Sequence, residues 1–316
     1  MDRARYACLE VEGFDADMLM GVVNDTRFEQ RLLSGGHFHA RAQRVIFPGF
    51  SLDCGAYTLP VFASGCFGDG VVGLAVTLRG DMRVWLNGAH VQVGQLMLFA
   101  EGRELNVRPL ADMWEWAVLL TSREFLQRSV LARHGRELDM PASGWRLCPP
   151  IADLNLPLRR IIQGTLRTAA SWTPATPPRE TLSAGTLLLN AFVDAAMHGT
   201  APKVPERTQQ QREALLLRAE MFLLSCMDGE FNSDALCAAL GLSERQVERI
   251  FLDAYEMGPF RWQLIARLNR ARNALQQMPG VSVTEAALQA GFNHLGRFSR
   301  EYRLLFDELP SETRPR

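Results

Sequence analysis

One structural pattern occurs twice in the C-terminal third of the chain. In each copy a short apolar segment precedes a glycine-containing turn, and a longer segment with apolar residues at helical spacing follows. The copies occupy residues 236–251 and 286–302. This order predicts two helix-turn-helix units, a motif whose second helix fits the major groove of DNA. Two units in tandem predict an all-α domain that contacts two successive grooves from one face.

The turns carry the residues that this motif needs. Gly241 and Gly291 follow the first helix of each unit, where a left-handed residue commonly ends a helix. A serine followed three positions later by glutamine or glutamate predicts a capping box at a helix start. The two such pairs are Ser243 with Gln246 and Ser282 with Glu285.

Each second helix has a predicted core face and a predicted outer face. The apolar residues at helical spacing are Val247, Ile250, Phe251, Phe298, Tyr302 and Leu305. Arginine can donate two hydrogen bonds to guanine O6 and N7. We therefore predict that the outer faces read bases, through Arg245, Glu248 and Arg249 in one groove and Gly296, Ser299 and Arg300 in the next. Phosphate contacts are predicted for Arg270, Arg297 and Arg303.

The charge of this region is unusual for a nucleic-acid-binding domain. Residues 212–316 contain 13 arginines, no lysine and 14 acidic residues, so 13 − 14 gives a net charge of −1. A net basic domain is the usual electrostatic footprint of DNA binding. We therefore predict modest non-specific affinity. Arg267 and Arg272 have two open interpretations, as DNA contacts or as ion-pairing residues that brace the helix between the two units.

An ordered set of residues from about 213 to 313 resembles the DNA-binding domain of the AraC/XylS family of bacterial transcription regulators. The matching positions are Gly241-Leu242-Ser243-x-Arg245, Arg249-x-Phe251, Pro259, Trp262, Arg267-Leu268-x-x-Ala271-Arg272, Gly291-Phe292-x-His294-x-x-x-Phe298-x-Arg300 and Phe306-x-x-x-Pro310-Ser311. Glu256 and Asp307 stand where the family usually has glycine, and His294 where serine is common. The Gly-Phe-x-His-Leu-Gly-x-Phe variant is similar to that of the ethanolamine-utilisation branch.

The resemblance implies a sequence-specific transcriptional regulator, an activator in this interpretation. Its implied partners are promoter double-stranded DNA, a second copy of the chain and RNA polymerase. The implied fold is multidomain α and β, with a cupin-like effector-binding β-barrel over residues 1–140 and a helical dimerisation segment over 141–198. A linker at 199–212 and the double helix-turn-helix domain at 213–316 complete it. The identity of an effector does not follow from the sequence.

The N-terminal region independently predicts antiparallel strands. Short alternating runs end in turn residues, and Asn87-Gly88 is a strong hairpin signal because both positions need positive φ. Regularly spaced strands of this kind predict a small barrel, and residues 94–109 are similar to a cupin half-motif. Seven aromatic residues are predicted for its interior: Phe47, Phe62, Phe67, Trp85, Phe99, Trp114 and Trp116.

Two amphipathic helices are predicted between the barrel and the linker. One begins near Leu156, and the other runs over residues 179–197 with an apolar stripe that includes Leu182, Leu189 and Phe192. Two interpretations stay open for that stripe. It packs on its own domain, or it forms a two-fold contact between two copies.

An enzyme is the less favoured interpretation. Cupin enzymes hold a metal with histidines and a carboxylate, and the candidates are His37, His39, His90, Glu104 and Asp112. His37 and His39 share one face of an extended segment. No histidine occurs between Gly94 and Pro109, and we predict no catalytic residues, metal or cofactor. The alternatives are a ligand-independent regulator that binds a protein partner through its first domain and a cupin metalloenzyme.

Composition fits a cytoplasmic protein with no membrane partner. The hydrophobic fraction is 47% and the charged fraction 22%, and no apolar run reaches membrane-spanning length. The six cysteines show no pairing or metal-ligand spacing, which predicts free and mostly buried thiols.

Overall fold

The computed structural model describes residues 4–24, 26–79, 84–102, 104–110, 112–142, 144–148, 152–173, 175–198 and 207–313. The strands are β1 (Arg5–Glu12), β2 (Arg27–Leu32), β3 (His39–Phe47), β4 (Phe50–Tyr57), β5 (Val61–Cys66), β6 (Val71–Arg79), β7 (Val84–Leu86), β8 (Ala89–Val91), β9 (Leu96–Phe99), β10 (Glu104–Pro109), β11 (Trp114–Ser122) and β12 (Trp145–Leu147). The helices are α1 (Ala16–Met20), α2 (Arg123–His134), α3 (Ala152–Ala169), α4 (Pro178–His198), α5 (Arg207–Ser225), α6 (Ser233–Leu240), α7 (Glu244–Tyr255), α8 (Pro259–Gln277), α9 (Val283–Gln289) and α10 (Leu295–Phe306).

The N-terminal region consists of two antiparallel sheets. A seven-stranded sheet has the order β1-β3-β4-β11-β6-β9-β12, and a five-stranded sheet has the order β2-β5-β10-β7-β8. The β7–β8 hairpin turns at Asn87 and Gly88, whose φ angles of 44° and 78° confirm the predicted turn. The strand pairing of the described residues does not close the sheets into the predicted barrel.

The seven aromatic residues divide between four environments because successive side chains of a strand point to opposite faces. Phe67, Phe99, Trp114 and Trp116 line an interior cavity between the two sheets. The other three predicted interior residues lie elsewhere: Phe47 packs under helices α3 and α4, Phe62 joins the core of the C-terminal helices, and Trp85 lies in a cleft between the regions. The alternation predicted strands correctly but not which face of each strand is interior.

Helices α2, α3 and α4 cover the outer face of the seven-stranded sheet. The buried face of α4 includes Leu188, Phe192 and Val193, and these side chains belong to one core with β3, β4, β6 and β11. The apolar stripe of α4 therefore packs on its own domain, while Leu182 and Leu187 stay 46% and 56% exposed. Residues 199–206 of the predicted linker lie outside the described residues, and α5 begins at Arg207, inside the predicted linker.

Helices α5 to α10 form the C-terminal region and pack against the five-stranded sheet. Asn269 of α8 accepts the Leu32 N–H at 3.0 Å and donates to the Leu32 carbonyl at 3.1 Å, so its amide pairs with the end of β2 as another strand would. Phe14 stacks on Phe306 with ring centroids 6.3 Å apart. A side chain on Gly35 would collide with the Leu304 carbonyl, which shows how closely the two regions approach.

The six cysteines are free, as predicted, but their burial was predicted wrongly. Cys54 and Cys148 are buried, Cys237 is intermediate, and Cys8, Cys66 and Cys226 are exposed. Among the helices that the structure describes, none is long and apolar enough to cross a membrane.

Two helices end at left-handed residues that are not glycine. Glu256 closes α7 at φ 55° and Asp307 closes α10 at φ 58°, each with its N–H bonded to the carbonyl four residues earlier at 3.0 Å. The helices thus end where the family resemblance implies, although a Cβ is unfavourable in this conformation.

We expect Glu256→Gly to raise the free energy of unfolding by about 1 kcal/mol relative to Glu256→Ala, because only glycine avoids the left-handed penalty. The alanine variant is the matched control, since it removes the carboxylate and keeps the Cβ. Urea unfolding of both variants measures the difference. Equal stability of the two would contradict the left-handed assignment at this helix end.

Candidate DNA-binding surface

The first helix-turn-helix unit consists of α6, a turn at Gly241 and α7. The Asn232 side chain caps α6 by accepting the Ala235 N–H at 2.9 Å, and Gly241 ends the helix at φ 68°. Gln246 then accepts the Ser243 N–H at 2.9 Å as part of the predicted capping box. The turn chemistry predicted for this unit is confirmed.

The second unit consists of α9, a turn at Gly291 and α10. Ser282 and Glu285 form the complete capping box, with the Ser282 N–H donating to Glu285 at 2.9 Å and the Glu285 N–H to Ser282 at 3.1 Å. Hydrogen bonds from Ser282 lower the pKa of the exposed Glu285 carboxyl. Gly291 has φ 81°, and His294 precedes α10 without a side-chain hydrogen bond to the helix start.

The predicted inner faces are buried. Val247 and Phe251 in α7 are 2% and 0% exposed, and Ile250 is half-buried. Phe298, Tyr302 and Leu305 in α10 are at most 1% exposed. The opposite faces of both helices are consequently turned towards solvent.

The outer face of α7 carries the three predicted residues, all exposed. Arg249 lies 4.0 Å from Asp253, which also pairs with Arg212 at 3.1 Å. The Glu248 carboxylate lies close to Gly258, at the N-terminus of α8. Arg245 has an exposed side chain at the N-terminal end of the helix, where recognition helices usually contact bases.

The outer face of α10 carries Gly296, Arg297, Arg300 and Arg303 in exposed positions, while Ser299 is half-buried. The Arg297 guanidinium lies 5.8 Å from the Phe260 ring centroid, a cation–π distance. Three of the predicted residues, Ser299, Arg300 and Arg303, line a recess that also includes Gly36 of the N-terminal region. A loop before β3 therefore flanks the second recognition helix.

The arginines of the linking helix α8 face different surroundings. Arg270 is exposed and pairs with Asp228 at 3.2 Å. Arg272 is buried, pairs with Glu308 at 2.6 Å and donates to the Phe14 carbonyl at 2.7 Å. Arg267 donates to the Gly229 carbonyl, and burial lowers its pKa. Arg272 therefore stabilises α8 through an ion pair, whereas Arg267 stabilises it through a hydrogen bond to a backbone carbonyl.

A buried network of charged side chains was not predicted from the sequence. Arg108 of β10 is 1% exposed and pairs with Glu213 of α5, while Tyr255 of α7 donates to Glu220 at 2.6 Å. Burial raises the pKa of Glu220, and the positive charge of Arg108 opposes that shift. Arg108 lies on the outer face of β10, opposite the cavity-lining Val107, so the alternation along the strand did not mark it as buried.

Of the metal candidates in the N-terminal region, the four whose side chains the structure describes do not meet in the interior. His37 and His39 both face Glu12, at 3.2 Å and 3.7 Å, and His37 lies 3.8 Å from Asp307. Asp112 is exposed, and His90 packs edge-on against Trp85 with centroids 5.5 Å apart. His37 and His39 are thus surface residues with a carboxylate partner.

Comparisons with known proteins concern mainly this C-terminal region. Residues 236–316 match a family profile described as a helix-turn-helix domain. The HTH-type transcriptional regulator ArgR of Pseudomonas aeruginosa is 32% identical over 99 residues, 31% of this chain and 30% of that protein. The regulator GbdR of the same species is 37% identical over 88 residues, 28% of this chain and 24% of that protein. The chain thus matches less than a third of the length of these curated relatives.

A solved structure is also similar to part of this chain. A probable AraC family transcriptional regulator from Rhodopseudomonas palustris is 32% identical, with 32% of this chain and 94% of that chain covered and a TM-score of 0.30. The sequence matches confirm the predicted resemblance for the C-terminal region.

Proposed function

Since the chain carries an AraC-type helix-turn-helix domain, we propose that it is a sequence-specific DNA-binding transcriptional regulator. In this proposal α7 and α10 enter successive major grooves. Arg245, Glu248 and Arg249 read bases in one groove, and Gly296, Ser299 and Arg300 read bases in the next. Arg270, Arg297 and Arg303 contact phosphates.

The observation that carries the proposal is the exposure of both arginine-bearing faces. Each recognition helix buries its apolar face and leaves at least two arginines in solvent, namely Arg245 and Arg249 on α7 and Arg300 and Arg303 on α10. Exposed guanidinium groups at groove-entering positions can reach guanine without the cost of breaking a buried ion pair. Within the described part of the chain, the ion-pair contact that Arg249 would lose on binding DNA is the weak one with Asp253 at 4.0 Å.

Selection of bound duplexes from a random library by the full chain should yield a defined site. At that site we expect Arg249→Ala to lose about 1–3 kcal/mol of binding free energy, or roughly 5- to 150-fold in affinity, and to relax base preference at its position. Arg128→Ala, an exposed arginine on α2, is the matched control and should bind like the parent chain. A uniform loss across all sequences would make Arg249 a phosphate contact instead.

An effector-responsive N-terminal domain is a further part of the proposal. The interior cavity between the sheets has a volume of about 70 Å³ and is lined mainly by aromatic and aliphatic side chains. Within it, Trp114 Nε1 and Gln30 Oε1 are buried and have no hydrogen-bond partner in the described part of the chain, so the cavity offers one unused donor and one unused acceptor. A buried polar group without a hydrogen bond costs free energy. A small polar ligand that hydrogen-bonds to both groups would recover that free energy on binding.

The remaining parts are dimerisation, contact with RNA polymerase as an activator, and a cytoplasmic location. The exposed Leu182 and Leu187 on α4 support a contact between two copies, because large apolar side chains gain free energy when they are removed from water. Paired copies would present four recognition helices to one promoter. The N-terminal domain would then shift the equilibrium between different arrangements of the two DNA-binding domains.

A further inference from the structure

A cleft separates the five-stranded sheet from the first helix-turn-helix unit. Its volume is about 320 Å³, within the range of small-molecule sites. Four elements supply its walls, the β7–β8 hairpin and β10 on one side and helices α5 and α7 on the other. The cleft is separate from the interior cavity of the N-terminal region, with which it shares no lining residue.

Arg108 marks the deep end of this cleft as a polar site. The residue lines the cleft, is 1% exposed and pairs with Glu213 through Nη2, yet its Nε–H has no hydrogen-bond acceptor among the residues that the structure describes. Burial alone would lower the pKa of Arg108, but the nearby Glu213 and Glu220 carboxylates raise it. The guanidinium is therefore charged and holds one unused donor, and a buried unused donor carries a desolvation cost.

The surrounding charges decide what can accept that hydrogen bond. Glu213 and Glu220 already face Arg108, and the second cation of the cleft, Arg212, pairs with Asp253 at 3.1 Å. An added anion would meet two carboxylates around one guanidinium, and an added cation would meet Arg108 and Arg212. A neutral acceptor such as a carbonyl oxygen accepts the hydrogen bond from Arg108 Nε–H without adding a charge to the cleft.

The other walls favour an apolar body. Leu216, Ile250 and Ala254 supply aliphatic surface, and the half-buried Trp85 supplies an aromatic face with His90 against its edge. Flat apolar groups gain both from burial and from offset contact with an indole.

We propose that this cleft is a second ligand site, for a small neutral molecule with an aromatic or flat apolar body and one carbonyl-type acceptor. The acceptor pairs with Arg108 Nε, and the body lies between Trp85 and Ile250. The ligand contacts β10 on one side and α7 on the other, so its binding favours the arrangement in which the N-terminal region and the first recognition helix are docked.

The test uses the full chain and measures ligand binding, so its outcome does not depend on DNA recognition. The neutral probes are benzamide, acetanilide and 1-indanone, and the charged probes of similar shape are benzoate and benzylamine. Titration calorimetry and ligand-observed NMR give affinities for the parent chain, Trp85→Ala, Trp85→Phe and Ile250→Trp. Ala63→Leu narrows the interior cavity and serves as the control for binding there.

We expect at least one neutral probe to bind saturably with a Kd of about 1 mM or tighter. Trp85→Ala should weaken binding about tenfold, Ile250→Trp should abolish it, and Trp85→Phe and Ala63→Leu should keep it. Benzoate and benzylamine should bind at least tenfold more weakly. Absence of saturable binding by all neutral probes, a preference for either charged probe, or loss in Ala63→Leu with retention in Trp85→Ala would each overturn the proposal.

Discussion

Replacing Arg108 with alanine is expected to lower the free energy of unfolding by about 3–5 kcal/mol, because it leaves buried carboxylates without their counter-charge. Glu213 and Glu220 are 9% and 5% exposed, and both lie in the charged surroundings of Arg108. The loss should exceed that of most single substitutions. Urea unfolding followed by circular dichroism measures it.

The same variant should show a distinctive pH dependence. Burial raises the pKa of Glu220, so the folded chain binds more protons than the unfolded chain between the two pKa values, and stability falls as pH rises through that interval. Removing Arg108 raises the folded pKa further and widens the interval. The deficit of Arg108→Ala relative to the parent chain should therefore be larger at pH 7 than at pH 4.5.

Arg128→Ala is the matched control, since Arg128 pairs with Glu124 on the exposed face of α2 at 3.5 Å. Such surface pairs contribute about 0–1 kcal/mol. A deficit of Arg108→Ala no larger than that of Arg128→Ala, or one independent of pH, would contradict the buried network.

The turn glycines of the two helix-turn-helix units should differ in their tolerance of alanine. Both are left-handed, at φ 68° for Gly241 and 81° for Gly291. A Cβ on Gly241 would meet nothing within 4 Å, whereas one on Gly291 would lie 1.9 Å from the Met227 carbonyl oxygen. We expect Gly241→Ala to cost about 1–2 kcal/mol and Gly291→Ala about 2–5 kcal/mol, since the second adds a backbone collision to the left-handed strain.

Thermal and urea unfolding of the two variants, side by side, measure this difference, and each glycine is the control for the other. The excess cost at Gly291 reports the packing of the second turn against Met227, in the segment between α5 and α6. Equal costs at both positions would contradict this close approach of Gly291 to Met227.

Local chemistry explains why the C-terminal region could be predicted. Capping at Ser282 and Glu285, the left-handed Gly241 and the helical spacing of Phe298 and Tyr302 are decided within a few residues of each other. The Asn87-Gly88 turn is likewise determined by two adjacent residues. Each of these predictions is confirmed.

Contacts between distant segments explain what could not be predicted. Arg108 and Glu213 are 105 residues apart, and Asn269 and Leu32 are 237 apart, so no spacing pattern connects them. Phe62 and Trp85 alternate like interior residues, yet the helices that cover the five-stranded sheet turn that outer face into an interface. At these two positions, burial against the C-terminal helices decides which side chain is covered, and the alternation along the strand does not.

Whether an arginine is exposed could likewise be predicted where local spacing decides it, but not where distant segments meet. The exposure of Arg245, Arg249 and Arg300 follows from helical periodicity, and the structure places these side chains in solvent. Arg272 matches the same family pattern but is buried between Glu308, which follows α10, and Phe14 of the N-terminal region, and the contact with Phe14 joins segments 258 residues apart. Which exposed arginines read bases depends on DNA and stays a prediction.

Methylation interference on the selected site tests the central claim most directly, because it maps guanine contacts groove by groove. Two successive major grooves on one side of the duplex should show interference, with centres about 10 bp apart. Arg249→Ala should remove the signal from one groove and Arg300→Ala from the other. A single patch of interference, or loss of the same patch in both variants, would contradict the use of both helices as readers of adjacent grooves.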